Sequence, residues 1–147
     1  MTVLFSPLGL AYGTLYSAIL SVRPARVIVV TSSQAIVNLH TAVDAAAFYH
    51  PKFEVETHLL ADPLAGFREG RSLARFLAVS ADGAGGDNVV NLTGGTTTLQ
   101  DCVRSVADIL RAQNKPVREV AVVDRRPPAE QTRRPLNLGE LVEVPEL

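Results

Sequence analysis

Cysteine is nearly missing from this chain of 147 residues; Cys102 is the only one. A single thiol excludes an internal disulfide and most cysteine-based zinc sites, and its place in an apolar helical pattern marks it as a core residue. Net charge is scarce too, at −1, so no overall field draws in a long nucleic acid or a membrane surface. Nor is there an unbroken apolar run. The most apolar amino-terminal region, Val3 to Val22, is interrupted by Ser6, Pro7, Gly9, Gly13 and Thr14 and has no basic leader. That predicts a soluble, cytoplasmic protein with no membrane contact.

Familiar site motifs are absent as well. The first apolar run is followed by Gly9 and Gly13 in a G-x-x-x-G spacing rather than G-x-G-x-x-G. The second run ends in Thr31-Ser32-Ser33 with no acidic residue for an adenosine ribose, so a dinucleotide cofactor is not expected. No P-loop and no G-x-S-x-G elbow occur. His40, His50 and His58 lack metal-site spacing, and His40 reads as structural. No cofactor and no metal are expected.

What remains is a hydrophobic fraction of 47%, enough for one substantial core. Short apolar runs alternate with helical patterns. Strands are predicted at Thr2–Phe5, Arg26–Val30, Phe53–Leu59, Asn88–Leu92 and Val117–Val123, with a last one at Leu141–Val144. Helices are predicted at Leu10–Val22, at Gln34–Phe48 behind a serine cap, after an Asp62 cap with Pro63 at the first helical position, and at Thr98–Gln113. In the last of these, Arg104 and Asp108 are spaced to pair one turn apart. Ala81 to Asp87 reads as a loop. The first helix is apolar on more than one side, which a subunit interface would explain.

Five strand–helix alternations call for an α/β, Rossmann-like, doubly wound and mainly parallel sheet, with a carboxyl-terminal antiparallel strand. A single domain over 1–147 is expected, with residues 1–124 as the βα core and 125–147 as an Arg/Pro-rich connection and final strand. Ligands of such sheets lie beyond the carboxyl ends of the strands, where strand order reverses. The first and fourth strands flank that point, so Ser6-Pro7-Leu8-Gly9 and Thr93-Gly94-Gly95-Thr96 should face one crevice. Two glycines between a strand and a helix start suit a phosphate or ribose, and equally a tight turn that only packs well.

The pairing of Phe5-Ser6-Pro7-Leu8-Gly9 with Asn91-Leu92-Thr93-Gly94-Gly95-Thr96 resembles the CRISPR-associated Rossmann-fold (CARF) domains. The resemblance covers nearly the whole chain. It implies a homodimer that binds a cyclic oligoadenylate second messenger at the dimer cleft. Carried onto this sequence, it gives ligand contacts at Ser6, Pro7, Leu8, Gly9, Thr93, Gly94, Gly95 and Thr96, with Thr31 and Ser32 near adenine or ribose. Many members have lysine directly after Gly-Gly-Thr; this chain has Thr97, which removes a candidate cation.

Members of the family usually carry an effector domain, and a chain of this length is expected to act without one. A metal-independent ring nuclease is the first expectation. It would cleave cyclic tetra-adenylate slowly to linear products with 2′,3′-cyclic phosphate ends and so switch off type III CRISPR signalling. Ser6, Thr96, Thr97, Arg125 and Arg126 are its candidate catalytic residues, with Arg133 and Arg134 as further cations on a lid or, as readily, on a solvated tail. A non-hydrolysing sensor or sink acting through a partner protein is the alternative. A small nucleotide-binding enzyme or structural subunit outside CRISPR defence is a third.

Overall fold

The computed structural model describes residues 1–81 and 86–147, so most of the loop expected at Ala81–Asp87 lies outside the described residues. Six strands form one sheet: β1 (Thr2–Pro7), β2 (Arg26–Thr31), β3 (Glu54–Leu59), β4 (Asp87–Asn91), β5 (Arg118–Val123) and β6 (Glu140–Val144). Their order is β3-β2-β1-β4-β5-β6. β1 to β5 run parallel, and β6 returns antiparallel to β5. The fold class is therefore as the alternation implied. The order reverses at β1, which pairs with β2 on one side and β4 on the other.

Alternation along the strands explains the two-faced core. On one face Val3, Phe5, Ile28, Val30 and Val90 pack under α3 (Phe67–Ala78) and α4 (Thr97–Ala112). On the other, Leu4, Val27, Val29, Val89 and Val120 pack under α1 (Gly13–Val22) and α2 (Leu39–Tyr49). Central strands buried on both faces need continuous apolar sequence, and that is what β1 and β2 have. β3 alternates because it is an edge strand with exposed residues. Cys102 is fully buried where α4 meets α3, and burial pushes its thiol up to about 12. It is a packing group and not a nucleophile.

Several expected boundaries move, each for a local reason. α1 begins at Gly13, not Leu10, because the carbonyls before it are already taken. Thr31 Oγ1 donates to Leu8 O at 2.6 Å, and Asn38 Nδ2 donates to Gly9 O and Leu10 O at 3.4 and 3.1 Å. Ser32 Oγ accepts from Ala35 N at 3.3 Å, but this closes a turn and a 3₁₀ segment (Ile36–Asn38) before α2 begins. Asp62 Oδ1 accepts from Leu64 N and Ala65 N, capping a turn, so Pro63 is not the first residue of α3. Arg104 reaches Glu119 at 3.9 Å rather than Asp108, which pairs with Arg111 at 3.8 Å.

The carboxyl-terminal connection holds an unanticipated short helix, α5 (Pro128–Arg133), and then docks on α1. Ser17 Oγ donates to Asn137 O and accepts from Gly139 N, both at 2.9 Å. A Cβ at Gly13 would lie 2.2 Å from Pro135 O. The second apolar side of α1 is thus covered within the chain, which removes the reason given for assigning it to a subunit interface.

Candidate ligand-binding site

Asn91, the last residue of β4, organises the ground beneath the glycine turn. It is fully buried. Its Nδ2 donates to Ser6 Oγ at 3.0 Å and to Thr93 O at 3.3 Å, while its Oδ1 accepts from Thr93 N and Thr93 Oγ1 at 3.1 and 2.6 Å. Thr93 Oγ1 in turn accepts from Val122 N at 3.0 Å. One side chain therefore ties the ends of β1, β4 and β5 together through hydrogen bonds that water cannot replace.

Above this network the chain turns through Gly94 and Gly95 at φ of 95° and 72°. Two successive left-handed residues are accessible at little cost only to glycine. The turn ends at Thr96, the N-cap of α4, whose Oγ1 accepts from Leu99 N at 3.2 Å and donates to Pro63 O. Thr98 Oγ1 donates to Leu64 O at 2.9 Å, so the start of α4 also pins the turn after β3. Gln100 Nε2 donates to Gly94 O at 3.1 Å, with Gly95 O at 3.5 Å.

The β1 and β4 turns meet backbone to backbone. A Cβ placed on Gly9 would lie 2.5 Å from Gly95 Cα and 2.7 Å from Gly95 N. Around this contact opens a cavity of about 640 Å³ walled by Gly9–Ala11 after β1, Ser32, Gln34 and Ala35 after β2, Pro63 and Leu64 after β3, and Gly94–Thr96, Leu99 and Gln100 after β4. All four loops leave the carboxyl ends of parallel strands, at the point where strand order reverses. Among the described residues the lining has no acidic or basic side chain. Two large apolar residues in it, Leu10 and Leu64, are 74% and 78% exposed.

The expected site residues divide into two groups. Gly9, Ser32, Gly94, Gly95 and Thr96 come together in this wall. Ser6, Pro7, Leu8 and Thr31 do not; all four are buried beneath it. Ser6 Oγ donates to Pro7 O at 3.0 Å and accepts from Asn91, and Thr31 is spent on Leu8 O. Thr93 is likewise absorbed by Asn91 and β5. Thr97 is exposed at the first position of α4, on a neighbouring recess of about 160 Å³ that it shares with Gln100, Asp101 and Arg104.

Arg125 and Arg126 depart furthest from expectation. They line a separate pocket of about 370 Å³ at the end of β5. Arg125 is held by Glu140 at 3.0 Å and Arg126 by Asp124 at 2.7 Å. The Arg126 guanidinium keeps the Asp124 carboxyl below its ordinary range. Arg133 and Arg134 both pair with Glu130. Each of the four arginines already has a carboxylate partner. Sequence reasoning missed Asn91, Gln100, Leu64 and Leu10 as site residues. Only Gln100 carried a signal, since it lies one helical turn after the cap Thr96.

Fold and site together define a doubly wound α/β domain with a switch-point cleft built from backbone and neutral side chains. No protein-family model matches the chain, and no curated protein does. Solved structures do. Enterococcus italicus Csm6 bound to cyclic hexa-2′-fluoro-hexa-dAMP matches at a TM-score of 0.75 and 13% identity, over 99% of this chain and 42% of that one. Can2 from Sulfobacillus thermosulfidooxidans in complex with cyclic tetra-adenylate matches at 0.65 and 14%, over 84% and 32%. A type III CRISPR defence DNA nuclease activated by cyclic oligoadenylate matches at 0.61 and 24%, over 82% and 18%. The chain spans less than half the length of each of these proteins. At these identities the likeness establishes the fold: this chain has the fold of a CARF domain.

Proposed function

We propose that this chain binds a cyclic oligoadenylate in the switch-point cavity, with two copies gripping one ring about a two-fold axis. The observation that carries this reading is the backbone contact of the Gly9 and Gly95 turns at the mouth of an uncharged cavity. A ring of even nucleotide number can share the symmetry of an isologous pair. Exposed Leu10 and Leu64 offer apolar surface to bases or to the second copy. The solved structures bound to, or of proteins activated by, cyclic adenylate rings share this architecture, which supports the reading further.

Ring cleavage is the second reading, and the paired left-handed glycines beside the N-terminus of α4 favour it. There a ribose 2′-OH would attack its adjacent phosphate in line, giving its proton to water while the P–O5′ bond breaks and the leaving oxygen takes a proton from water, so that a 2′,3′-cyclic phosphate and a 5′-OH result, with backbone donors offsetting the growing charge. The cavity wall supplies no ionisable group to move a proton, so this chemistry would be slow. The geometry therefore supports binding ahead of turnover, and a sensor or sink ahead of an efficient nuclease.

Incubating the purified protein with cyclic tetra- or hexa-adenylate in EDTA, with separation of products, tests both readings. Tight binding with an intact ring is the expected result. Linear products with cyclic phosphate ends favour the nuclease. Failure to bind either ring overturns the proposal. Sedimentation with and without ring tests the pairing, which predicts a dimer in the complex.

A further inference from the structure

The Gly94–Gly95 turn has its carbonyl side tied down and its amide side open. Gln100 Nε2 donates to Gly94 O at 3.1 Å. Only the amide nitrogen of a glutamine side chain can face a carbonyl oxygen this way, so the orientation of the Gln100 amide is settled by chemistry. The Gly94–Gly95 peptide is planar and trans, with its C=O and N–H pointing in opposite directions. Holding Gly94 O against α4 therefore aims Gly95 N–H away from α4. Among the described residues Gly95 N–H has no hydrogen-bond partner. Gly95 itself is exposed, and Gly9 packs close beside it, where a Cβ would sit 2.7 Å from Gly95 N. Gly9, Gly95 and Gln100 all border the same cavity.

We infer that Gln100 is a positioning residue: it fixes the Gly94–Gly95 peptide so that Gly95 N–H forms a seat for one phosphate oxygen of the ligand. This rests on the cavity being the ring site. The seat is built of backbone, carries no formal charge, and borders the cavity. Gln100 does not touch the phosphate; it sets the direction of the donor that does. A preset donor of this kind needs no rearrangement when the anion arrives, which is why losing its support should weaken binding although the donor itself remains.

Two variants separate this role from packing. Gln100→Met keeps the length and bulk but donates nothing to Gly94 O. Gln100→Glu keeps the shape and, when ionised, sets a carboxylate against that carbonyl. Affinity for cyclic tetra- and hexa-adenylate is measured by calorimetry, and amide signals are followed by ¹⁵N–¹H correlation spectra during the same titrations. In the unsubstituted protein the Gly95 amide proton should move far downfield on binding. Both variants should bind roughly tenfold more weakly and lose most of that shift, with melting temperatures close to the parent. The Gln100→Glu protein should also regain affinity as the pH falls towards the carboxyl range, because a protonated carboxyl can donate to Gly94 O; the parent should show no such rise. Parent-like affinity and an unchanged Gly95 shift in both variants would overturn the inference and leave the proposed function standing. No binding by the unsubstituted protein to either ring would overturn the two together.

Discussion

The carboxyl ends of β1 and β4 and the carboxyl end of β5 are neighbouring parts of one sheet edge, yet they are built from opposite materials. At β1 and β4 the wall is glycine, threonine, glutamine and leucine, with no ionisable side chain. At β5 and the connection after it, Asp124, Arg125, Arg126 and Glu140 crowd one pocket and neutralise each other. Charge at this end fastens the tail, while the cavity proposed for an anionic ring offers backbone dipoles instead. A site of backbone donors can hold phosphates without making the protein basic, and a net charge of −1 is consistent with that.

The sharpest way to break this contrast is to fill the contact between the two turns. Gly9→Val places a Cβ within 2.5 Å of Gly95 Cα, which only a backbone shift can relieve. Ring binding should be lost, and stability should fall by about 1–3 kcal/mol through overpacking, read from denaturant unfolding beside the binding isotherm. Full affinity in a folded Gly9→Val protein would remove the cavity from the function.

Asn91→Ala attacks the same end from beneath. It takes the acceptor from Thr93 N and from the Thr93 hydroxyl proton and the donor from Ser6 Oγ, which keeps its bond to Pro7 O. Destabilisation on the order of 2 kcal/mol is expected from the unsatisfied groups, with a weaker ring complex following from the loosened turn. Chemical denaturation with the midpoint compared at constant slope is the measurement.

These two positions show what the sequence could and could not disclose. Strand and helix order, the β1–β4 adjacency and the meeting of two glycine turns were legible because alternation, strand hydrophobicity and turn glycines are local signals with one topological solution. Which hydroxyls face the cavity was not legible. Ser6 and Thr31 sit at strand ends and look like ligand contacts, but their orientation is set by partners 85 and 23 residues away. The pairing of the arginines was hidden for the same reason: their carboxylate partners are fixed by the course of the tail, including a six-residue helix with no strong local pattern. Helix starts at Leu10 and Pro63 failed where side chains or turns had already consumed the backbone groups that a first helical turn needs.

The charged end supplies the next test, in which little should happen. Arg125→Ala and Arg126→Ala remove side chains that border a different pocket. Affinity for the ring should change less than about twofold at physiological salt, since a charge already paired with a carboxylate contributes little field beyond its own pocket. A tenfold loss in either variant would erase the distinction between the two ends and restore the arginines to the site.

The smallest expected effect lies at the far edge of the sheet, where charge again serves only the fold. Glu56 on β3 accepts from His58 Nε2 at 2.7 Å and from Arg26 Nη2 at 2.9 Å. The His58 hydrogen bond, with Arg26 adding to it against partial desolvation, holds its pKa below the ordinary 4.5. A carboxyl lowered on folding contributes stability above its unfolded pKa and loses it as pH falls through the lowered folded value. Glu56→Gln should therefore melt below the parent at pH 6, and the gap should close as both are taken below pH 4.5. With its side chain 35% exposed, the pair is worth less than about 1 kcal/mol, and ring affinity should not move. If the gap instead widened in acid, the Glu56 carboxyl would have to be held by something other than its two cationic-side donors.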